Sequence, residues 1–128
     1  MTPQNAPFSQ AEYDRRIALT RAAMAKAGLD AIFVTDPSNQ AWLTGYDGWS
    51  FYVHQGVILT MEGEPHWWGR HMDSLGALRT CWIAPPSIHG YADSYVQSTV
   101  RHPMQDLARI LRDMGLELVA VFGPEPRG

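Results

Sequence analysis

The first thirty residues carry the pattern of an amphipathic helix with defined ends. Ser9 and Glu12 have the spacing of a capping box, in which each residue's side chain accepts a hydrogen bond from the other's backbone N–H. Apolar positions then recur at helical spacing from Tyr13 onward. Gly28 follows them, and glycine readily takes the left-handed conformation that ends a helix. The pattern therefore predicts a helix over residues 9–27.

Apolar runs bounded by turn residues predict six strands along the rest of the chain. The run DAIFVT does not alternate between apolar and polar residues, which indicates a strand covered on both faces. The sequence EGE between two later runs predicts a hairpin turn. The predicted strands are residues 30–35, 51–60, 65–68, 81–84, 88–91 and 118–122.

Three further helices are predicted between these strands. A capping aspartate followed by proline, the sequence DP, begins the first, which ends near Gly45. The second covers residues 72–79. The third begins at Pro103, keeps its apolar residues on one face and ends at Gly115.

Helices and strands alternate along the chain, with one hairpin in the middle. Such alternation is typical of an α/β fold, so we predict a three-layer domain with a mixed, mostly parallel sheet and helices on both faces. We expect this domain to cover residues 1–122. The tail GPEPRG, residues 123–128, has the composition of a linker, and we expect it to lead into a further domain.

Composition narrows the class of partner. The chain has 10 basic and 13 acidic residues without a block of like charges, so we expect no binding to nucleic acid. No apolar run approaches the roughly 18 residues of a membrane span, and the amino terminus lacks the pattern of a secretory signal. Cys81 is the only cysteine, which fits a buried, unreactive thiol in a reducing, cytoplasmic setting. Charged residues make up 18% of the chain, below the usual quarter, which indicates that part of the surface is covered by something else.

The sequence contains no complete set of catalytic residues. It lacks a zinc-binding spacing of Cys and His, a nucleophile elbow, a phosphate-binding loop and a dinucleotide-binding glycine motif. A metal site can be drawn from His66 and His71 with the acidic residues Glu62, Glu64 and Asp73, but a solvated hairpin edge explains these residues better. We therefore predict no catalytic residue, no metal ligand and no cofactor in this domain.

One segment concentrates aromatic side chains around two glycines. The run WLTGYDGWSFYVHQ covers residues 42–55, and its strand part alternates faces, so a core on one side explains only half of its aromatic residues. Aromatic side chains on a turn are typical of a small-ligand pocket or a protein interface. Packing between two covered faces of a sheet is the alternative. The candidate pocket or interface residues are Tyr46, Trp49, Phe51, Tyr52 and His54.

Three stretches resemble the amino-terminal domain of the creatinase/Xaa-Pro peptidase family, the pita-bread hydrolases. The first runs from EYDRRIALT through DAIFVTDPSN to LTGY, the second is GWSFYVHQGVILT, and the third is YVQSTVRHPMQDLARIL. Together they extend over nearly the whole chain from Phe8 to Phe122. Within the family, the run TGYDGWSFYVHQ and the run YVQST followed by RHPM look most like members that open a small ring amidine.

The resemblance implies a ribonuclease-H-like amino-terminal domain without catalytic residues of its own. The family's catalytic residues lie in a carboxy-terminal pita-bread domain, which holds two metal ions in the peptidase members. The front domain helps to form a homodimer and to close the active site over a small-molecule substrate. In creatinase-like members an Arg lies two residues beyond the Phe that corresponds to Phe51. Here Val53 stands at that place, which argues against a creatine-type carboxylate clamp.

Two hypotheses of function follow. In the first, the chain is a non-catalytic domain of a hydrolase acting on C–N bonds of a small substrate, and its partner is its own catalytic domain, where a divalent metal is possible. Xaa-Pro peptidase and creatinase-like amidinohydrolase are the alternatives within the family. In the second, the chain is a free-standing module that binds a small ligand or a protein through its aromatic segment.

Overall fold

The domain has three layers, with a five-stranded sheet between helices. The computed structural model describes residues 8–47, 54–92, 102–116 and 119–122. The helices are α1 (Gln10–Ala27), α2 (Pro37–Thr44), α3 (His71–Thr80) and α4 (Pro103–Asp113). The strands are β1 (Ala31–Val34), β2 (Gly56–Thr60), β3 (His66–Arg70), β4 (Ile88–Tyr91) and β5 (Val119–Phe122), and a short 3-10 turn, Pro85–Ser87, precedes β4.

The sheet is mixed, as predicted. Its strand order is β4-β3-β2-β1-β5. The pairs β1–β2 and β2–β3 are antiparallel, whereas β1–β5 and β3–β4 are parallel. Parallel pairs therefore make up half of the described pairings rather than most of them, because the hairpin contributes one antiparallel pair and β1 joins β2 by another.

The ends of the first two helices follow from local chemistry. Ser9 Oγ accepts a hydrogen bond from the N–H of Glu12, and Gly28 ends α1 with a φ of 72°. Asp36 caps α2 through the N–H of Asn39, and Gly45 ends α2 with a φ of 81°. These boundaries confirm the predicted helices, because a side-chain cap and a left-handed residue fix the ends of a helix almost independently of its surroundings.

Each face of the sheet carries its own hydrophobic core. On one face, α1, α2 and α3 cover the sheet; the buried residues there include Ile17, Met24, Leu43, Ala77, Ile32, Val34, Val57, Leu59 and Trp67. On the other face, α4 covers it; the buried residues there are Leu107, Ile110, Phe33, Ile58, Trp68 and Tyr91. The prediction of helices on both faces is confirmed. No helix in the described ranges is long and apolar enough to cross a membrane.

The predicted strand at residues 81–84 is wrong. The N–H of Trp82 donates to the carbonyl oxygen of Thr44 at 3.0 Å, and its indole N–H donates to that of Leu43 at 2.8 Å. The carbonyls in the last turn of a helix lack partners within the helix, so this segment satisfies the end of α2 instead of joining the sheet.

The other strand predictions stand with shifted ends. Strand β2 begins at Gly56, five residues after the predicted start, and residues 51–53 lie outside the described ranges. The hairpin between β2 and β3 and the short strand β4 are confirmed.

Candidate functional site

Tyr46, the first of the predicted site residues, lies in the protein core. Its side chain is 4% exposed, and its ring centroid lies 5.2 Å from that of Trp67. Its hydroxyl donates to Oε1 of Gln55 at 3.4 Å. Gln55 is itself buried, so the two ends of the segment from 46 to 55 meet inside the domain. Tyr46 therefore anchors the aromatic segment to the core and does not line an open surface.

Two buried N–H groups near this anchor are unusual. Nε2 of Gln55 and Nε1 of Trp67 have no hydrogen-bond partner within the described part of the chain. Both residues flank Gly69, where an added Cβ would lie 2.6 Å from the Trp67 ring and 3.1 Å from Gln55 Cβ. A buried N–H group that finds no acceptor costs on the order of 1–3 kcal/mol.

Trp49, Phe51 and Tyr52 lie outside the described residues. Their assignment to a pocket or an interface stays a prediction, and so does the absence of a carboxylate clamp at Val53.

His54 is where the segment re-enters the described structure. Its side chain is exposed, and its ring lies edge-on to the ring of His102 with centroids 4.8 Å apart. The hydroxyl of Tyr91 donates to the main-chain oxygen of His54 at 2.7 Å, which fixes the backbone independently of the imidazole. Partial burial, and then His102, lower the pKa of His54 below its ordinary value. The neutral ring can therefore both donate and accept a hydrogen bond at neutral pH.

His102 caps helix α4 through its ring. Its Nδ1 accepts from the N–H of Met104 at 3.1 Å, and its own N–H donates to Oε1 of Gln105 at 3.1 Å. An imidazole that accepts at Nδ1 carries its proton on Nε2. Helix α4 thus begins with a capping box built on a histidine. The sequence does not predict this cap, because the usual capping residues are Ser, Thr, Asp and Asn.

A second histidine pair lies on the same face of the sheet, farther along β3 and β4. Nδ1 of His66 and Nε2 of His89 are 2.9 Å apart. Burial lowers the pKa of both rings; Glu64 opposes this for His66, and Asp106 opposes it for His89. One ring donates and the other accepts, so the contact requires at least one neutral imidazole.

The acidic residues of the hairpin do not assemble a metal site with these histidines. Oε1 of Glu64 accepts from the N–H of Ala84 at 2.9 Å and from the hydroxyl of Ser87 at 2.6 Å, so it stabilises the turn before β4. The described residues include no group of three or more His, Cys, Asp or Glu placed to hold a metal ion. Cys81 is 1% exposed, and burial raises its pKa to about 12, so its thiol is unreactive in the fold.

A groove of about 430 Å³ with a mostly apolar lining lies between α1, α2 and β1. Small residues on α1 create it: Thr20, Ala23 and Ala27 line one wall opposite Leu43. The helical spacing of these small residues in the sequence is the feature from which this groove could have been predicted. It lies on the side of α2 that faces α1, away from His54.

Comparison with known proteins gives consistent results. A family model described as the Creatinase/Prolidase N-terminal domain matches residues 16–127. An ectoine hydrolase from Halomonas elongata is 57% identical over 110 residues, which are 85% of this chain and 28% of that protein. An uncharacterized hydrolase/peptidase from Sinorhizobium fredii is 35% identical over 123 residues, 90% of this chain and 31% of that protein. The chain therefore spans less than a third of the length of these relatives.

Solved structures share the fold at lower identity. A proline dipeptidase from Streptococcus pneumoniae has a TM-score of 0.65 at 21% identity, covering 83% of this chain and 72% of that one. The N-terminal domain of an Xaa-Pro dipeptidase from Lactobacillus brevis has a TM-score of 0.67 at 15% identity, covering 83% and 75%. The resemblance seen in the sequence and the predicted fold class are confirmed.

Proposed function

Since the chain belongs to the creatinase/prolidase N-terminal domain family, we propose that it is the non-catalytic front domain of a longer hydrolase that opens a small ring amidine such as ectoine. The observation that carries this proposal is the 57% identity to an ectoine hydrolase, which extends over 85% of the chain. Structural neighbours that are dipeptidases are all too distant in sequence to favour a peptide substrate.

In this proposal the domain contributes the wall of a pocket and not the reacting groups. Trp49, Phe51, Tyr52 and His54 face the substrate, and Tyr46 holds the segment in place from the core. The buried contact between Tyr46 and Gln55 and the hydrogen bond from Tyr91 to the His54 carbonyl support this, because they fix both ends of the segment. Aromatic rings attract a cationic amidine by about 0.5–2 kcal/mol each.

The proposal assigns the remaining chemistry to the catalytic part of the protein. Any divalent metal is assigned to that part as well. We further propose a cytoplasmic homodimer in which this domain helps to close the active site.

The test uses the full-length protein encoded by the reading frame that contains this chain. Incubation with ectoine, with an Xaa-Pro dipeptide and with creatine, followed by NMR of the products, should show ring opening of ectoine only. Turnover of the dipeptide alone would support the peptidase alternative. No turnover of any of them, or a reading frame that stops after Gly128, would favour the free-standing module and refute the hydrolase.

The role of the segment is tested separately by Trp49→Ala combined with Phe51→Ala in the full-length enzyme. We expect a raised KM or a lower kcat/KM with an unchanged melting temperature. Leu19→Ala on α1, where the side chain is 55% exposed, is the control and should leave both unchanged. Loss of folding in the double variant would show instead that these rings are core, since truncating a buried aromatic residue costs roughly 3–5 kcal/mol.

A further inference from the structure

Helix α3 turns its large apolar side chains outward. Met72, Leu75 and Leu78 are 58%, 63% and 44% exposed, whereas its buried face consists of the small residues Ser74 and Ala77. A spacing of three residues keeps Met72, Leu75 and Leu78 in one row on the helix. The surface helix of an isolated domain normally shows the opposite arrangement, with its large apolar residues inward. We call this row the α3 stripe.

The surface around the α3 stripe is open enough for another domain to pack against it. Gly76, next to Leu75, has no neighbouring atom within 4 Å of the place where a Cβ would lie. A shallow depression of about 440 Å³ runs beside Leu75, Gly76, Leu78 and Arg79. A half-buried glycine beside this row lets a packed side chain approach the helix backbone closely, because glycine carries no Cβ.

The stripe is continuous with the segment that the proposed function assigns to the pocket. Thr80 is the last residue of α3, and its Oγ1 accepts a hydrogen bond from the N–H of Asp47 at 3.1 Å. Asp47 follows Tyr46 at the start of the aromatic segment. A domain that packs against the aromatic segment therefore also reaches the C-terminal end of the α3 stripe.

We infer that the α3 stripe is the surface by which this domain docks onto the catalytic part of the same polypeptide, a role that rests on the proposed function. The small size of the stripe favours this occupant over a second copy of the domain. A stable pair of free proteins buries roughly 20–30 residues a side, far more than three side chains. A tethered partner needs less surface, because the linker has already supplied much of the entropy cost of association.

The first test replaces the stripe without changing the helix. The full-length variant Met72→Gln/Leu75→Gln/Leu78→Gln keeps residues that favour helices and removes only the apolar surface. We expect its single thermal transition to split into two, and kcat/KM to fall about tenfold, since a displacement on the order of 1 Å can reduce a rate roughly 100-fold. The control variant Leu19→Gln/Met104→Gln changes two other exposed apolar residues and should behave as wild type.

The second test detects the covering of the stripe directly. Cys81 is buried, so an introduced surface thiol dominates the labelling of the peptides that belong to this domain. In the full-length protein, Leu75→Cys should lose its reactivity towards a maleimide, whereas Leu19→Cys should keep it. Equal, rapid labelling at both positions would overturn the inference.

The two readouts also separate this inference from the proposed function. An enzyme that does not hydrolyse ectoine, but shields Leu75→Cys and shows split transitions in the triple variant, would refute the substrate and support the docking surface. If the triple variant instead converts a dimer into active monomers with one thermal transition, the occupant is a second copy and the inference is wrong.

Discussion

The indole N–H of Trp68 donates a hydrogen bond to Oδ2 of Asp106 at 2.9 Å, and this bond joins strand β3 to helix α4. Trp68 is fully buried on β3, where its ring contacts Phe33 on one side and Tyr91 on the other. Asp106 also binds Arg109 one turn along the helix. The bond therefore places a polar link inside the contact between two hydrophobic surfaces.

Trp68→Phe should lower the free energy of unfolding by about 1–3 kcal/mol, because Oδ2 of the half-buried Asp106 carboxylate loses its donor while Arg109 still binds Oδ1. Urea denaturation of the single variants and of Trp68→Phe/Asp106→Ala completes a double-mutant cycle. We expect a coupling energy within the roughly 0.5–3 kcal/mol seen for residues in direct contact. Met104→Ala, at an exposed position on the same helix, is the control and should change stability by less than about 0.5 kcal/mol. A coupling energy near zero would show that the bond does not contribute to stability.

Two glycines should respond in opposite ways to the same substitution. A Cβ at Gly56 would lie 2.5 Å from the Phe33 ring and 2.8 Å from the Val34 carbonyl oxygen. Gly56→Ala should therefore destabilise the fold by about 1–3 kcal/mol through overpacking. Gly76→Ala, in open space within α3, should stabilise it by about 0.4–1 kcal/mol. Thermal melts of both variants decide this, and equal shifts would contradict the packing around Phe33.

Stability should fall as pH drops below about 6.5, in part through the pair His66–His89. Burial lowers the pKa of both rings below the ordinary value of 6.5, so the unfolded chain binds protons more readily than the fold. Their contribution is therefore present at neutral pH and is lost as pH falls through the folded pKa values. Protonation of both rings also turns their shared contact into two opposed donors.

The variant His89→Gln removes one of these titrating rings. Its unfolding free energy, measured between about pH 7 and about pH 5, should vary less with pH than that of the wild type. Leu19→Gln, at an exposed position without a titrating group, should keep the wild-type slope. A slope unchanged in His89→Gln would rule out the pair as a source of acid sensitivity.

Arg16 should not tolerate lysine, although its neighbour Arg15 should. Arg16 is 7% exposed. Its Nη1 donates to the Trp42 carbonyl oxygen at 2.8 Å, and its Nε donates to Glu12 at 3.0 Å. Its guanidinium also lies 4.3 Å from the centre of the Phe8 ring. Lysine cannot reproduce this planar arrangement, so Arg16→Lys should cost about 1–3 kcal/mol. Arg15→Lys alters an exposed ion pair and should cost less than about 0.5 kcal/mol in the same urea titration. Similar losses for both variants would contradict this distinction.

The parts of the fold that the sequence predicts are those set by neighbours in the chain. Ser9 and Gly28 fix α1 because a cap and a left-handed residue act within one turn. The strand prediction for residues 81–84 is wrong because Trp82 donates its hydrogen bonds to the carbonyls of Leu43 and Thr44, which are distant in sequence. An apolar run of four residues does not reveal whether its hydrogen bonds go to a strand or to the end of a helix.

The candidate site follows the same rule. The sequence shows the concentration of aromatic residues near Tyr46 but not the burial of Tyr46, because that burial depends on Trp67 of β3 and on Gln55, just before β2. The pairing of His66 with His89 and of His54 with His102 likewise requires the sheet and α4 to be assembled first. The α3 stripe could not be predicted for a further reason. The sequence predicts a helix at this place, but large apolar residues normally face inward, whereas here the inward face consists of the small residues Ser74 and Ala77.

The pairing of β1 with β5 joins the first and the last of the described strands. Ala31 lies opposite Val119 and Val34 opposite Phe122, so β1 keeps one open edge until almost the whole domain exists. Contacts this distant in sequence form late, because a long loop must close before they yield any stabilisation. On the ribosome, the first strand must therefore wait for Phe122 to leave the exit tunnel. Until then its open edge is exposed to mispairing, and chaperone dependence should be greatest in that interval.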